Sequence, residues 1–545
     1  MAIWYCGSDK WTAVTAWAAS TAYSVGDIRR QLATPTVGEE RVFRCTTAGT
    51  SGATEPAPWT LTKGGTTSDN TAVWTEITGS ETYNTPTNFA APHARLRKLA
   101  DWMAAGDTGY VSSAHAATEA AAITFTFPGT ATSPNNIYSI NAATGAISRG
   151  AKETTTGNFS SNINGTFYML GCDFDFATGA VNPVQRLNNT TGKQTYNDCR
   201  FAIVATGSTA RLIVGSQTGG IWTETTFINC QWKFGAAGQV IEYAGKIKFI
   251  GGSELAGGSD PTNFLSPISS ARQNADININ GFDFSTYAAT LNLCKGGVVD
   301  QTGTTVFNNC KLPASWTGGL VSTALTTIGL SVEAYNCSDD SKNYRLWTEN
   351  YSGSVKEETS IVLTGGATDG VTPYSWKMAA NANVEPWAIP LISPPMVFRN
   401  ETTGSALTLT VEVTHSFAAA LTDKDIYLEI ESLNSASFPI STFANDGPAT
   451  PITTPVDQAT STEAWGGAAQ TFKQVLSVSV TPNMKGDIVG RVVLQKEGTC
   501  YVNPDLIVGG VKHSKVYVTG AGIFRAESAA GGGGIRLAGH GGLVA

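Results

Sequence analysis

Asn229-Cys230-Gln231-Trp232 is the stretch on which the reading of this chain turns. The same four-position pattern stands at Gly171-Cys172-Asp173-Phe174, Asp198-Cys199-Arg200-Phe201, Gly251-Gly252-Ser253-Glu254, Gly281-Phe282-Asp283-Phe284, Asn309-Cys310-Lys311-Leu312 and Asn336-Cys337-Ser338-Asp339. In chain order the second positions are 27, 31, 22, 30, 28 and 27 residues apart. A pattern returning every ~20–30 residues marks a solenoid, whose repeats bury their apolar faces against one another.

The residue types favour a right-handed parallel β-helix over a leucine-rich repeat. Segments beside the motif are β-branched and alternating, as in Arg211-Leu-Ile-Val214, Gln239-Val-Ile-Glu242, Lys246-Ile-Lys-Phe249 and Gly297-Val-Val-Asp300. Each coil would rise by one strand spacing, about 4.8 Å, so equivalent residues stack. Position one is Asn, Asp or Gly, suited to a turn with positive φ, and its Asn residues could hydrogen-bond from coil to coil. Position two is Cys in five of seven copies and reads as inward-facing. Position three (Asp173, Arg200, Gln231, Ser253, Asp283, Lys311, Ser338) reads as a solvent-facing column. Position four is apolar in five of seven, and Met169, Tyr196, Phe227, Phe249, Ile279, Phe307 and Ala334 stand three residues before position two. The expected interior is a column of thiols beside a column of aromatics.

Nine Cys is an odd count, and no Cys-x-x-Cys occurs, so zinc and thioredoxin-like readings are weak. Stacked thiols could approach bonding distance. Free, buried thiols acting as small hydrophobes are the preferred reading of Cys172, Cys199, Cys230, Cys310 and Cys337. Cys6 with Cys45 is the one other pair to consider, while Cys294 and Cys500 have no evident partner.

Composition agrees. Only 14% of the 545 residues are charged, against 41% apolar and 58 Gly. Soluble domains average about 25% charged. Scarce Lys and Glu argue against a helical protein. The net charge of −8 and the lack of a basic cluster argue against a nucleic-acid partner. No apolar run is long enough for a membrane span, and Met1 to Cys6 lacks the features of a secretory signal. Assembly in a host cytoplasm into a virus particle, with release by lysis, fits that expectation.

Five segments are expected. Residues 1–80 form a small, aromatic-rich β module. Residues 81–105 are a linker and capping helix, the helix running from His93 to Ala105. Residues 106–345 are the β-helix. Residues 346–520 form an antiparallel β-sandwich of jelly-roll type, in which Leu407, Leu409, Val411 and Val413 share one buried face. The crowding of Pro386, Pro390, Pro394 and Pro395 marks an irregular crossover. Residues 521–545 are a Gly-rich tail or docking arm, with Ile535, Leu537 and Leu543 as apolar pegs. The fold class is all-β.

Two resemblances add to this. Trp17, Thr21-Ala22-Tyr23-Ser24-Val25-Gly26-Asp27, Phe43-Arg44-Cys45-Thr46-Thr47-Ala48-Gly49, Gly52, Pro56, Trp59 and Trp74 resemble the chitin-binding type of carbohydrate-binding module. That likeness covers about 75 residues and implies sugar stacking on exposed aromatics, with Trp17, Tyr23 and Trp59 as candidates. The same rings would equally serve as the core of a tiny domain, which needs large side chains. Ala105-Gly106-Asp107-Thr108-Gly109-Tyr110-Val111-Ser112-Ser113-Ala114-His115, then Thr124 to Thr130 and Ile137-Tyr138-Ser139-Ile140, resemble the opening coils of pectate-lyase-like β-helices, an architecture shared by phage tailspikes. The resemblance supports fold, not catalysis.

A glycosidase would need paired carboxylates. Asp173 with Asp175, Glu254 with Asp283, and Asp339 with Asp340 are the available pairs. Asp173 and Asp175 should share one strand face, yet Arg200, Gln231 and Lys311 dilute the column. His115 has no evident partner in the sequence, and no metal or cofactor set stands out. The sequence reads as a bacteriophage virion surface protein, a spike, fibre or decoration subunit, acting in adhesion or architecture. Its expected partners are other virion proteins, copies of itself (a trimer, by the resemblance) and a bacterial surface glycan. The alternative is a tailspike depolymerase that cleaves bacterial surface polysaccharide. Trp347, Trp376, Trp387 and Trp465 are further aromatics whose exposure matters, with packing in the sandwich core the preferred reading.

Overall fold

The computed structural model describes residues 1–119, 124–156, 161–178, 184–188, 192–215, 217–218, 221–267, 273–296, 301–326, 329–340, 342–360, 376–380, 391–394, 396–415 and 426–432. Beyond these it describes 442–443, 464–465, 468–469, 472–480, 485–494, 497–502, 506–508, 511–513, 516–519, 522–525 and 536–537. The chain divides into two compact units, one of residues 1–295 with 317–319, the other of the remainder.

The first unit is built on a right-handed parallel β-helix. One of its sheets runs Ile3–Cys6, Thr108–Ser112, Asn135–Ile140, Phe167–Leu170, Lys193–Asn197, Glu224–Ile228, Gly245–Ile250 and Gln273–Asn280. A second runs Ala116–Glu119, Ala151–Thr156, Cys172–Thr178, Arg200–Ile203, Gln231–Phe234 and Ser253–Glu254. A third runs Thr124–Phe127, Ser161–Gly165, Val184–Leu187, Arg211–Val214, Val240–Tyr243, Asn263–Pro267 and Asn292–Cys294. All neighbours within these three sheets are parallel, as a coil returning to its own start requires.

The motif falls in register. Asp173 pairs with Arg200, Arg200 with Gln231, Gln231 with Ser253, and Ser253 bridges to Asp283. Every position-one residue has positive φ, from 49° at Asp198 and 51° at Asn229 to 74° at Gly171. A left-handed residue there turns the chain from the first sheet into the second, and Asn, Asp and Gly meet that demand at least cost. Coil-to-coil bonds at this position run through the backbone: Asp198 N–H donates to Ile228 O and Asn229 N–H to Ile250 O, each at 2.8 Å. Two aromatic ladders fill the interior. Phe174, Phe201 and Trp232 stack at 5.6 and 4.8 Å, and Tyr196, Phe227 and Phe249 at 5.4 and 5.0 Å.

Two features of this unit differ from expectation. Ile3–Cys6 pairs in parallel with Thr108–Ser112, so the first residues form a β-helix rung and not part of the small module. The helix spans Leu96–Trp102 alone. His93 cannot join it, because its N–H donates to Tyr5 O and its carbonyl accepts Gly7 N–H, both at 2.8 Å. Between these segments Ile28–Arg30, Val42–Thr47, Ala72–Glu76 and Thr66–Asp69 form a four-stranded antiparallel sheet.

In the second unit Gln301–Asn308 pairs in parallel with Leu330–Ser338. That strand is also antiparallel to Lys342–Asn350, where the parallel pattern ends. Antiparallel pairing continues through Gly353–Ser360, Trp376–Ala380 and Gly498–Val502 to Leu407–His415 and Phe472–Val480. A second sheet holds Gly486–Leu494 between Ile426–Ser432 and the strands Leu391–Ile392 and Met396–Asn400. The sheets share one core containing Trp376, Met378, Leu409, Val411, Val413, Leu428 and Val492, with Leu407 partly buried against it. This is an antiparallel β-sandwich. Trp347 is half-buried against Trp316 and Tyr344. Trp387, Pro386, Pro390, Pro395, Ile535, Leu543 and the expected strand segment 297–300 lie outside the described residues. Only backbone is described for Trp465 and Leu537.

Candidate functional site

All nine cysteines are buried, and none is in a disulfide. Among the described residues no group of three or more His, Cys, Asp or Glu side chains is placed to hold a metal ion.

Trp17, Tyr23 and Trp59 are only 2%, 4% and 6% exposed. They pack with Phe43, Cys45, Ala72 and Trp74 as the core of the small module. Asp69 ties this core together, its Oδ2 accepting from Trp17 Nε1 at 2.7 Å and Trp74 Nε1 at 3.0 Å. Trp59 stacks on Phe43 at 4.2 Å and donates to Glu55 Oε1 at 2.9 Å. A sugar platform needs a free ring face, and these rings spend theirs on each other. The likeness to a carbohydrate-binding module therefore reports packing here.

The carboxylate pairs separate. Asp173 and Asp175 do share the outer face of Cys172–Thr178, alternating with inward Cys172, Phe174 and Phe176. Asp283 stands in the same column as Asp173 but several rungs away, and its Oδ1 accepts the backbone N–H of Ser285 at 2.9 Å, a turn-closing bond. Glu254 follows Ser253, the register partner of Asp283, so pleating puts Glu254 and Asp283 on opposite faces. In the second unit Asp339 closes a turn by accepting Lys342 N–H, and Asp340 accepts the N–H of Ser315, 25 residues earlier, each at 2.6 Å.

Asp173 is the exception to the expected solvent column, at 8% exposure. Arg149, which the repeat does not mark, lies over it. Arg149 Nε is 3.7 Å from Asp173 Oδ1, and Arg149 Nη2 is 3.1 Å from Asp198 Oδ1. Arg200 Nη1 is 3.6 Å from Asp173 Oδ2, and Lys152 Nζ is 3.4 Å from Asp175 Oδ2. Gln231 Oε1 accepts from Arg200 Nε at 3.0 Å and from Arg149 Nη1 at 3.3 Å. Burial pushes the Asp173 carboxyl above its ordinary range, opposed by Arg200 and Arg149.

One residue before Asp198 the surface becomes aromatic. Asn197 Nδ2 donates to Tyr168 Oη at 2.8 Å. The Tyr168 ring lies 6.1 Å from Tyr138, itself 6.1 Å from Tyr110. All three rings are half-buried on the outer face of the first sheet. The outcome is a ridge: phenol rings on one side of the left-handed turn, a fixed row of charged donors and acceptors on the other. Such a surface offers apolar contact beside aligned hydrogen-bonding groups, the mixture on which polyhydroxylated ligands are held.

No protein-family model and no curated protein matches the chain. Among solved structures, the enzymatically active domain of bacteriophage CBA120 tailspike protein 4 aligns over 92% of this chain and 76% of its own, at 10% identity and TM-score 0.26. Pantoea stewartii WceF, described as a glycan biofilm modifying enzyme with a tailspike-like parallel β-helix fold, aligns over 99% and 79%, at 10% identity and TM-score 0.20. The fold of this chain rests on its own strand register.

The sequence did not mark a second polar cluster, which seals the first coils. His115 (1% exposed) accepts Ser8 N–H at Nδ1 (2.9 Å), so its proton sits on Nε2, 3.1 Å from Glu153 Oε1. The same Glu153 oxygen accepts Leu96 N–H at 2.7 Å, and Glu119 Oε1 meets Arg97 Nε at 3.0 Å and Arg95 Nη1 at 3.3 Å. These bonds tie the short helix Ser8–Ala13 and the helix Leu96–Trp102 to the strands of the first coils. With His115 and Glu153 buried, the cluster is structural.

Proposed function

We propose that this chain is a bacteriophage particle surface subunit, of spike or fibre type, that holds bacterial surface glycan on the ridge formed by Tyr138, Tyr168, Asn197, Arg149, Asp173, Arg200 and Gln231. The observation carrying the glycan reading is the continuous contact chain from Tyr168 through Asn197 and Asp198 to Arg149, Asp173 and Arg200. The particle context is supported by the likeness of Ala105 to His115 and Thr124 to Thr130 to phage β-helices. Single-rung affinity would be weak, and repeated subunits on one particle would raise it through avidity.

Direct titration of the purified chain with surface polysaccharides from a bacterial panel tests this. Tyr168→Ala and Arg149→Ala should each weaken binding at least about tenfold, roughly 1.4 kcal/mol, with unchanged circular dichroism. Binding that survives both substitutions sinks the ridge assignment. Antibody labelling of particles tests the location.

A depolymerase is the second reading, favoured by Asp173 and Asp175 on one strand face with the Asp173 carboxyl raised. Glycoside hydrolysis uses two carboxyl groups, one as acid and the other as base or nucleophile. Oligosaccharide release that Asp173→Asn abolishes would establish it.

A further inference from the structure

We infer that the glycan held on this ridge is uncharged, an inference that rests on the glycan reading above. Three cations face the ridge, Arg149, Lys152 and Arg200, against three carboxylates, Asp173, Asp175 and Asp198. Every one is already in an ion pair, at 3.1 to 3.7 Å. An acidic sugar is recognised by a cation with charge to spare, typically an Arg fork closing on the carboxylate. Here both guanidinium groups are committed to protein partners, Arg149 to Asp173, Asp198 and Gln231, Arg200 to Asp173 and Gln231.

Exposure points the same way. The most exposed charge of the set is a carboxylate, Asp198, with 48% of its side chain open, and it adjoins the aromatic side through Asn197. A sugar carboxylate lying against Tyr168 would meet it as a like charge. The chain's net charge of −8 adds weak long-range repulsion.

Hydroxyl groups suit the row better. From the turn outward it alternates acceptor and donor: Asp198, Arg149, Asp173, Arg200, Gln231 Oε1. A hydroxyl, which both donates and accepts, can bond to donors and acceptors alike along such a row without adding charge. The tyrosine rings offer apolar contact to its C–H faces.

The test compares a neutral polysaccharide with a uronate-bearing one of the same backbone, titrated against the full chain at low and high salt. The neutral form should bind with less than about twofold change between salts, since no net ion pairing is involved. The acidic form should bind at least about tenfold more weakly, and Asp198→Asn, which removes the like charge, should narrow the ratio between the two forms whatever it does to neutral binding. Asn occupies the equivalent left-handed turn at Asn229, so this variant keeps the fold. Tighter, salt-sensitive binding of the acidic form overturns the inference and leaves the glycan reading standing. No binding of either form, with Tyr168→Ala likewise silent, overturns both.

Discussion

Cys199 and Cys230 occupy the same site on successive rungs, and each thiol donates to the carbonyl two residues before it, Asn197 O at 3.4 Å and Ile228 O at 3.5 Å. Each also reaches the rung before, at Met169 O (3.8 Å) and Tyr196 O (3.5 Å). In the second unit Cys337 does the same with Tyr335 O (3.5 Å) and Phe307 O (3.6 Å). The column thus uses Cys as a small hydrophobe with a weak donor, set where a carbonyl has a second lone pair to offer.

Burial pushes the thiols of Cys172, Cys199, Cys294 and Cys500 up, the last two to about 12. The thiolate is the reactive form. Native protein at neutral pH should therefore leave these four unmodified by an alkylating reagent, and denaturant should release them. Peptide mapping after labelling gives the count. Rapid native labelling of Cys199 would mean that the interior opens.

The left-handed turn predicts an asymmetric substitution pattern at Asn229, where φ is 51°. Asn229→Gly should change stability little. Asn229→Val should cost about 1–2 kcal/mol, because a β-branched side chain clashes in that region. Thermal melts of both variants decide it, and equal losses would show that the Asn side chain, not the backbone, is what matters there.

How much of this was legible follows from what repeats. A solenoid stacks like on like, so the Cys column, both aromatic ladders and the positive-φ turns left a period in the sequence. Gly150-Ala151-Lys152-Glu153 is a further copy, with Ala151 in register with Cys172 and 21 residues before it. Aligning it would have placed Glu153 inside and drawn attention to His115, one rung earlier. Arg149 was not legible, since it precedes that copy and crosses rungs to reach Gln231. Nor was the rung Ile3–Cys6, whose partner lies about a hundred residues on and follows from no local pattern. Trp17, Tyr23 and Trp59 misled in another way: an aromatic spacing says that large rings are needed but not whether they face water.

Trp232 ends the ladder begun by Phe174 and Phe201, at 1% exposure, and its Nε1 makes no hydrogen bond. A buried N–H without a partner costs free energy that an apolar ring avoids. Trp232→Phe should therefore stay within about 1 kcal/mol of the parent, the lost volume offset by removal of that donor. Trp232→Ala should cost about 3–5 kcal/mol through the cavity it leaves. A large loss for the Phe variant would show that ring volume dominates this site.

His93 makes the stability of the first unit depend on pH. Its ring is buried 5.0 Å from Trp102 and 6.1 Å from Trp4, and Nε2 makes no hydrogen bond. Burial, with Arg41, Lys63 and Lys98 nearby, lowers its pKa to about 3. The unfolded chain takes up this proton near pH 6.5, whereas the folded chain refuses it until far lower. The stabilisation is thus complete above about pH 6.5 and falls as acid is added, by up to about 1.4 kcal/mol per pH unit until the folded pKa is reached. His93→Gln, neutral throughout, removes this dependence. Between pH 7 and 5, before most carboxylates titrate, the parent should lose about 2 kcal/mol more than the variant. Denaturant unfolding followed by tryptophan fluorescence at both pH values measures the difference, and parallel losses would mean that His93 accepts its proton in the folded chain.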